Sequence, residues 1–375
     1  MRKLTLTTIF LISVAYATET RVQVLTQNAI RDGYANFLLD DEFIIQFYPS
    51  ALFKFSPHAT LEMPNIQANT LFGDYAYAST FGKYNNYGYG SYLGRVRVPV
   101  DYDLDGRPEL QIIPLDLVGA INLNNVVFGL NLIFGTFSSN NGQNPATTDN
   151  ASVIGFNPSF SFYPSENSGI DFGIPISFAS SANKTGNNVN WEYKLNSFGF
   201  RGRFYNGPII VFATFSTLSL SSDNPSTNQN PDIRISITSF GAGAGLNLPI
   251  SDLGFGIIGL TANSQNTTVR FGNQEQGGPD FFMGFLVGGE VKALRDNIKL
   301  RTSFTYDLIR STGDNSGGNV VNIGRIGDLT LGFGYELGFL RFDASLSTDL
   351  LYNGPFFLTG NQSGFVPSLS ILAKF

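Results

Sequence analysis

From His58 onward the chain alternates oily and polar positions with a period of two, the mark of strands that present two unlike faces. Over residues 153 to 164, Ile154, Phe156, Phe160 and Phe162 fall on one side and Gly155, Asn157, Ser159 and Ser161 on the other. Residues 298 to 308 set Leu300, Phe304, Tyr306 and Leu308 against Lys299, Arg301, Ser303, Thr305 and Asp307. Residues 339 to 352 set Leu340, Phe342, Ala344, Leu346, Leu350 and Tyr352 against Arg341, Asp343, Ser345, Ser347 and Asp349. Such runs are longer than the about five or six residues usual for a strand in a soluble sandwich. Tight turns at Asn206-Gly207, 250–253, 294–297 and 336–338 alternate with polar loops centred on residues 101–108, 138–151, 181–189, 221–232, 264–280, 311–322 and 353–364. Short turns on one side and long loops on the other predict an all-β fold, a transmembrane up-and-down antiparallel β-barrel of about 16 strands, with about 14 or 18 inside the counting error.

The residues before His58 do not follow this pattern. Met1 to Ala17 has a basic tip at Arg2 and Lys3, a short apolar core and small residues at Ala15 and Ala17, so residues 1–17 read as a signal peptide. Residues 18–57 carry Asp40-Asp41-Glu42 and then a poorly alternating apolar stretch from Phe43 to Phe55. This predicts an N-terminal plug or periplasmic lead-in ahead of a barrel over residues 58–375. Composition agrees, since 35 Phe and 16 Tyr beside 41 Gly suit alternating strands better than a globule with a separate core. No stretch after the leader supplies the roughly 20 apolar residues that a spanning helix requires. Cysteine is absent, which removes disulfides and thiolate metal sites. The net charge of −6, or −8 once Arg2 and Lys3 leave with the leader, disfavours nucleic acid as a partner.

In the last eleven residues, Phe365, Pro367, Leu369, Ile371, Ala373 and Phe375 share one face. This ending resembles the terminal strand of bacterial outer-membrane β-barrels, and departs from it at Ala373, where the family usually has an aromatic, and at Pro367, which suits only a strand end. The resemblance implies a Gram-negative outer-membrane location, a lipid surround and Phe375 as the signal read by the barrel-assembly machinery. Porin-like members of this class often form oligomers, which leaves oligomeric state open here.

By the same alternation, Arg95, Arg97, Arg201, Arg203, Arg234, Lys299, Arg301, Asp307, Arg341, Asp343 and Asp349 fall on the polar, pore-lining face. That wall leans basic, which predicts a porin-like passive channel for small polar solutes with an anion preference. Arg95 with Arg97, and Arg201 with Arg203, weigh most, because side chains two residues apart point the same way. The competing reading has these charges packing a sealed lumen. Two other functions remain open: a transporter of hydrophobic compounds, resembling the long-chain fatty-acid barrels and using residues 18–57 as a hatch, and a structural or adhesive surface barrel without a through pore.

One loop carries a sharper motif. Asp101, Asp103, Asp105, Gly106 and Glu109 resemble the calcium loops of β-hairpin repeats, which implies Asp101, Asp103, Asp105 and Glu109 as side-chain ligands and Arg107 as a carbonyl ligand of Ca2+. An Asp/Gly-rich turn without metal explains the same residues. Trp191, Tyr193, Tyr306, Tyr335 and Tyr352 are candidates for the interfacial aromatic girdle. With His58 the single histidine, a Ser-His-Asp arrangement is hard to build, so the chain reads as a non-enzyme that requires no cofactor.

Overall fold

The computed structural model describes residues 25, 35–39, 42–55, 57–63, 77–94, 114–140, 147–165, 167–186, 188–223, 233–250, 253–272, 274–293, 297–313, 319–346 and 368–375. They contain seventeen strand segments: β1 His58–Met63, β2 Tyr77–Tyr84, β3 Tyr87–Leu93, β4 Leu115–Leu123, β5 Val126–Asn140, β6 Thr147–Ser165, β7 Ser168–Gly173, β8 Ile176–Thr185, β9 Asn188–Asn206, β10 Ile209–Asp223, β11 Ile233–Ile250, β12 Gly254–Phe271, β13 Gln274–Lys292, β14 Ile298–Gly313, β15 Asn319–Leu337, β16 Leu340–Leu346 and β17 Leu369–Lys374.

Both β7 and β8 lie between β6 and β9, so they are two halves of one strand, broken at Ile174-Pro175. Proline has no N–H to give the ladder. The break is held by the Ile174 N–H donating to the Pro158 carbonyl and the Gly199 N–H donating to the Pro175 carbonyl, each at 2.9 Å. Counting the halves once leaves sixteen antiparallel strands. The sheet closes because β1 pairs with both β2 and β17. Closure gives every strand two partners, the condition for crossing hydrocarbon as a sheet.

The faces confirm the membrane setting. Phe128, Leu130, Leu132 and Phe134 on β5, and Phe198, Phe200 and Phe204 on β9, point out and are exposed, while Asn131, Ser161, Arg203 and Ser303 point in and are buried. Oily side chains out and polar ones in is the arrangement that lipid selects. The hairpins at one end are tight: Asn85, Asn124, Gly207 and Gly338 hold φ of 52°, 65°, 56° and 60°, the left-handed region that two-residue turns require.

Several strands outrun the membrane. At 19 residues, β6, β9, β13 and β15 rise about 48 Å, taking about 3.3 Å per residue and a tilt of about 40°, against an apolar band about 25 Å tall. Two expected loops are therefore strand instead: β12 runs to Phe271 and β13 starts at Gln274, within 264–280, and β8 runs to Thr185 and β9 starts at Asn188, within 181–189. Beyond the membrane the outward positions meet water, so Ser, Thr and Asn replace Phe and Leu there. The outer face loses its oily positions although the ladder continues.

Candidate functional site

Three short 3-10 turns, Ala35–Leu38, Glu42–Gln46 and Pro49–Lys54, sit inside the barrel at the tight-turn end. Their apolar side chains fill it. Phe37 lies 4.8 Å from Phe47 and 5.2 Å from Phe212 on the wall, between ring centres. Leu38, Ile44, Tyr48 and Ala51 share a cluster with Phe212, Ile257 and Leu286, while Ile45 and Leu52 pack on Tyr77, Phe81, Tyr92 and Val118. Short 3-10 turns leave carbonyls unpaired, and the polar inner wall answers them. Asn157 Nδ2 donates to the Gln46 and Phe47 carbonyls at 3.3 and 3.1 Å, Asn247 Nδ2 to Leu38 at 3.2 Å, and Arg203 Nη1 to Leu39 at 3.0 Å. The Ser50 N–H donates to Ser159 Oγ at 2.8 Å, and the Ser50 and Ser161 hydroxyls bond at 2.7 Å.

Four of the lumen cations, Arg203, Lys299, Arg301 and Arg341, are paired with carboxylates. Arg203 donates from Nε and Nη2 to Asp171 Oδ2 at 3.0 and 2.7 Å, with both side chains fully buried. Arg301 reaches Glu290 and Asp343, each at 2.5 Å; Arg341 reaches Asp343 at 3.0 Å; and Lys299 reaches Glu336 at 2.6 Å. From the plug, Glu42 faces Lys374 at 3.3 Å and Arg341 at 4.0 Å. Burial alone would raise the Glu42 carboxyl, but the attraction of Arg341, Lys374 and His58 outweighs it and holds the group at about 2. Burial pushes the Tyr48 phenol above its ordinary range. Arg201 lies over the Phe47 ring, 4.9 Å from its centre.

Of the residues read as pore-lining, Arg201, Arg203, Lys299, Arg301, Arg341 and Asp343 thus face the lumen, and Asp307 is half-buried opposite Arg325. Arg234 does not. It lies on β11 in phase with the outward Phe240 and Leu246, exposed outside the barrel, because the inward positions there are Ile233, Ile235 and Ile237. Arg95, Arg97, Asp349 and the whole candidate calcium loop, Asp101, Asp103, Asp105, Arg107 and Glu109, lie outside the described residues.

Alternation missed one feature. Above the membrane the polarity of the two faces inverts on β9 to β11. Leu220 lies opposite both Leu195 and Ile235, Leu218 opposite Ile237, and Ile235 opposite Val269. Directly paired residues share a face, so these form one inward apolar stripe across four strands. It continues through Ala179 to Val153, where Ile133, Ala151 and Val153 cluster with Phe137, Ala179 and Tyr193. Tyr193 therefore serves the interior rather than an outer girdle. Closer to the tight-turn end, the inner wall from β14 round to β1 is polar: Ser303 bonds Thr330 at 2.8 Å, Ser345 bonds Ser368 at 2.6 Å, and Ser370 donates to Glu62 at 2.8 Å. The pattern Leu218-Ser-Leu220-Ser, with Ile233-Arg-Ile235-Ser-Ile237, was the signal in the chain.

Fold and lumen together define an outer-membrane β-barrel with an internal plug. No protein-family model matches the sequence, and no curated protein does. The structure of a FadL homologue from Pseudomonas aeruginosa aligns over 96% of this chain and 100% of its own, at 14% identity and a TM-score of 0.43. CdiB from Acinetobacter baumannii aligns over 85% and 60%, at 9% identity and 0.42, and the alcaligin outer-membrane receptor FauA from Bordetella pertussis over 78% and 60%, at 10% and 0.42. The chain spans about three fifths of the length of these last two. Its barrel rests on its own strand pairings rather than on such likenesses.

Proposed function

We propose that the protein carries small apolar compounds across the outer membrane, gathering them in the vestibule above the plug. The apolar stripe of Leu195, Leu218, Leu220, Ile235, Ile237 and Val269 carries this reading. These side chains face the interior at a level where the outer face is polar and no lipid is at hand, so an apolar solute is the partner that would cover them. Below the stripe the path meets the aromatic plug of Phe37, Phe43 and Phe47. A general polar channel draws less support. Arg203, Lys299, Arg301 and Arg341 each have a carboxylate partner, which cancels the excess that an anion preference needs.

Equilibrium binding of radiolabelled naphthalene to the barrel in nanodiscs tests this. Saturable binding is expected, weakened about tenfold or more in Leu218→Asn/Leu220→Asn, since losing roughly 1 kcal/mol of apolar contact at each half-buried position exceeds the about 1.4 kcal/mol per tenfold. Steady ion current through the wild-type barrel in a planar bilayer, with no saturable naphthalene binding, would instead support the polar-diffusion reading.

A further inference from the structure

At the tight-turn rim, ion pairs among the described residues join four wall cations, Lys299, Arg301, Arg341 and Lys374, to three wall carboxylates, Glu290, Glu336 and Asp343. The fourth negative charge is Glu42, which belongs to the plug. It fills the place loosely. Arg341 is 6% exposed, yet its Nη2 has no hydrogen-bond partner among the described residues and sits 4.0 Å from the Glu42 carboxylate. Lys374 keeps 48% of its side chain exposed at the rim, so the site opens to water on that side.

We infer that Arg341 and Lys374 form a latent oxyanion site, occupied by Glu42 as an internal stand-in while the plug is docked and filled by an inorganic oxyanion from the aqueous rim when the plug leaves. The chemistry follows from the donors. A guanidinium with a free N–H beside an ammonium group matches the oxygens of phosphate. Undocking without a replacement takes one carboxylate away from Arg341 and Lys374, at the cost of leaving their positive charges facing each other with only Asp343 ion-paired to Arg341 among the described residues. An anion that binds the undocked form removes that cost and draws the equilibrium toward it by mass action. The same site would hold the plug shut in its absence. This inference stands apart from the identity of the transported compound.

Inorganic phosphate is the probe. The chain has no cysteine, so Ala51→Cys, at a fully buried plug position, reports undocking through its rate of maleimide labelling. Phosphate is expected to speed labelling several-fold and saturably over chloride at matched ionic strength. By calorimetry, Glu42→Gln should bind phosphate at least tenfold more tightly than wild type, and Lys374→Gln added to it should abolish that gain. Heat-modifiable gel mobility checks that each variant is folded, and the labelling arm needs neither charge variant. Equal labelling in phosphate and chloride, equal affinity in wild type and Glu42→Gln, or binding that survives Lys374→Gln would overturn the site. Naphthalene binding reports separately on the vestibule.

Discussion

Gly129 offers a way to move the plug without touching it. It points inward from β5, and a Cβ there would meet the Pro49 carbonyl carbon at 2.5 Å and come closer still to the Ser50 amide. Both are backbone atoms, so no rotamer change relieves the clash. Gly129→Ala should therefore lift the Pro49–Lys54 turn away from the wall. Two hydrogen bonds go with it, Ser50 N–H to Ser159 and Ser50 to Ser161, worth about 1 kcal/mol each. Leu52, 1% exposed, loses part of a burial worth about 1.5–3 kcal/mol in full. The total is about 3 kcal/mol, or over a hundredfold in the undocked fraction of this turn. In planar bilayers the variant should show larger and more persistent openings than wild type. Gly119→Ala on β4 is the control, because its Cβ would meet nothing within 4 Å on the outer face. If the folded Gly129→Ala barrel conducts like both wild type and control, the plug does not obstruct the lumen and the reasoning fails.

The Glu42 carboxyl sits at about 2 when docked against an ordinary 4.5, so its contribution to docking is complete above 4.5 and lost as pH falls toward 2. Maleimide labelling of the Ala51→Cys chain should be flat from pH 8 to 5.5, once corrected for thiol ionisation, and faster in acid; Glu42→Gln should remove the acid response. Asp171→Ala strands Arg203, fully buried, and should lower unfolding stability by about 3–5 kcal/mol in urea titrations, while Asp171→Leu/Arg203→Met costs much less. Leu38→Ala should weaken plug docking by about 2–5 kcal/mol, read as faster labelling at position 51, because Leu38 is 1% exposed between Gly245 and Gly259.

By itself the sequence determined an up-and-down antiparallel barrel of about sixteen strands and the end at which tight turns such as Asn206-Gly207 fall, because period-two alternation and turn chemistry are local, while strand pairing settled the count. It also set which face of β14 and β16 carries Lys299, Arg301, Arg341 and Asp343. Only the tertiary structure decided what those charges do. Arg203 meets Asp171, and Arg301 meets Glu290 and Asp343, through strand register, which brings together residues 32, 11 and 42 positions apart. The seat of the apolar segment from Phe43 onward was equally hidden, since its partners Phe212, Ile257 and Leu286 come from distant strands. Alternation also names two faces without saying which medium each one meets. Above the membrane that medium changes while the pattern continues, so Leu218, Leu220 and Ile235 point inward and Arg234 outward, a distinction that strand length and closure impose.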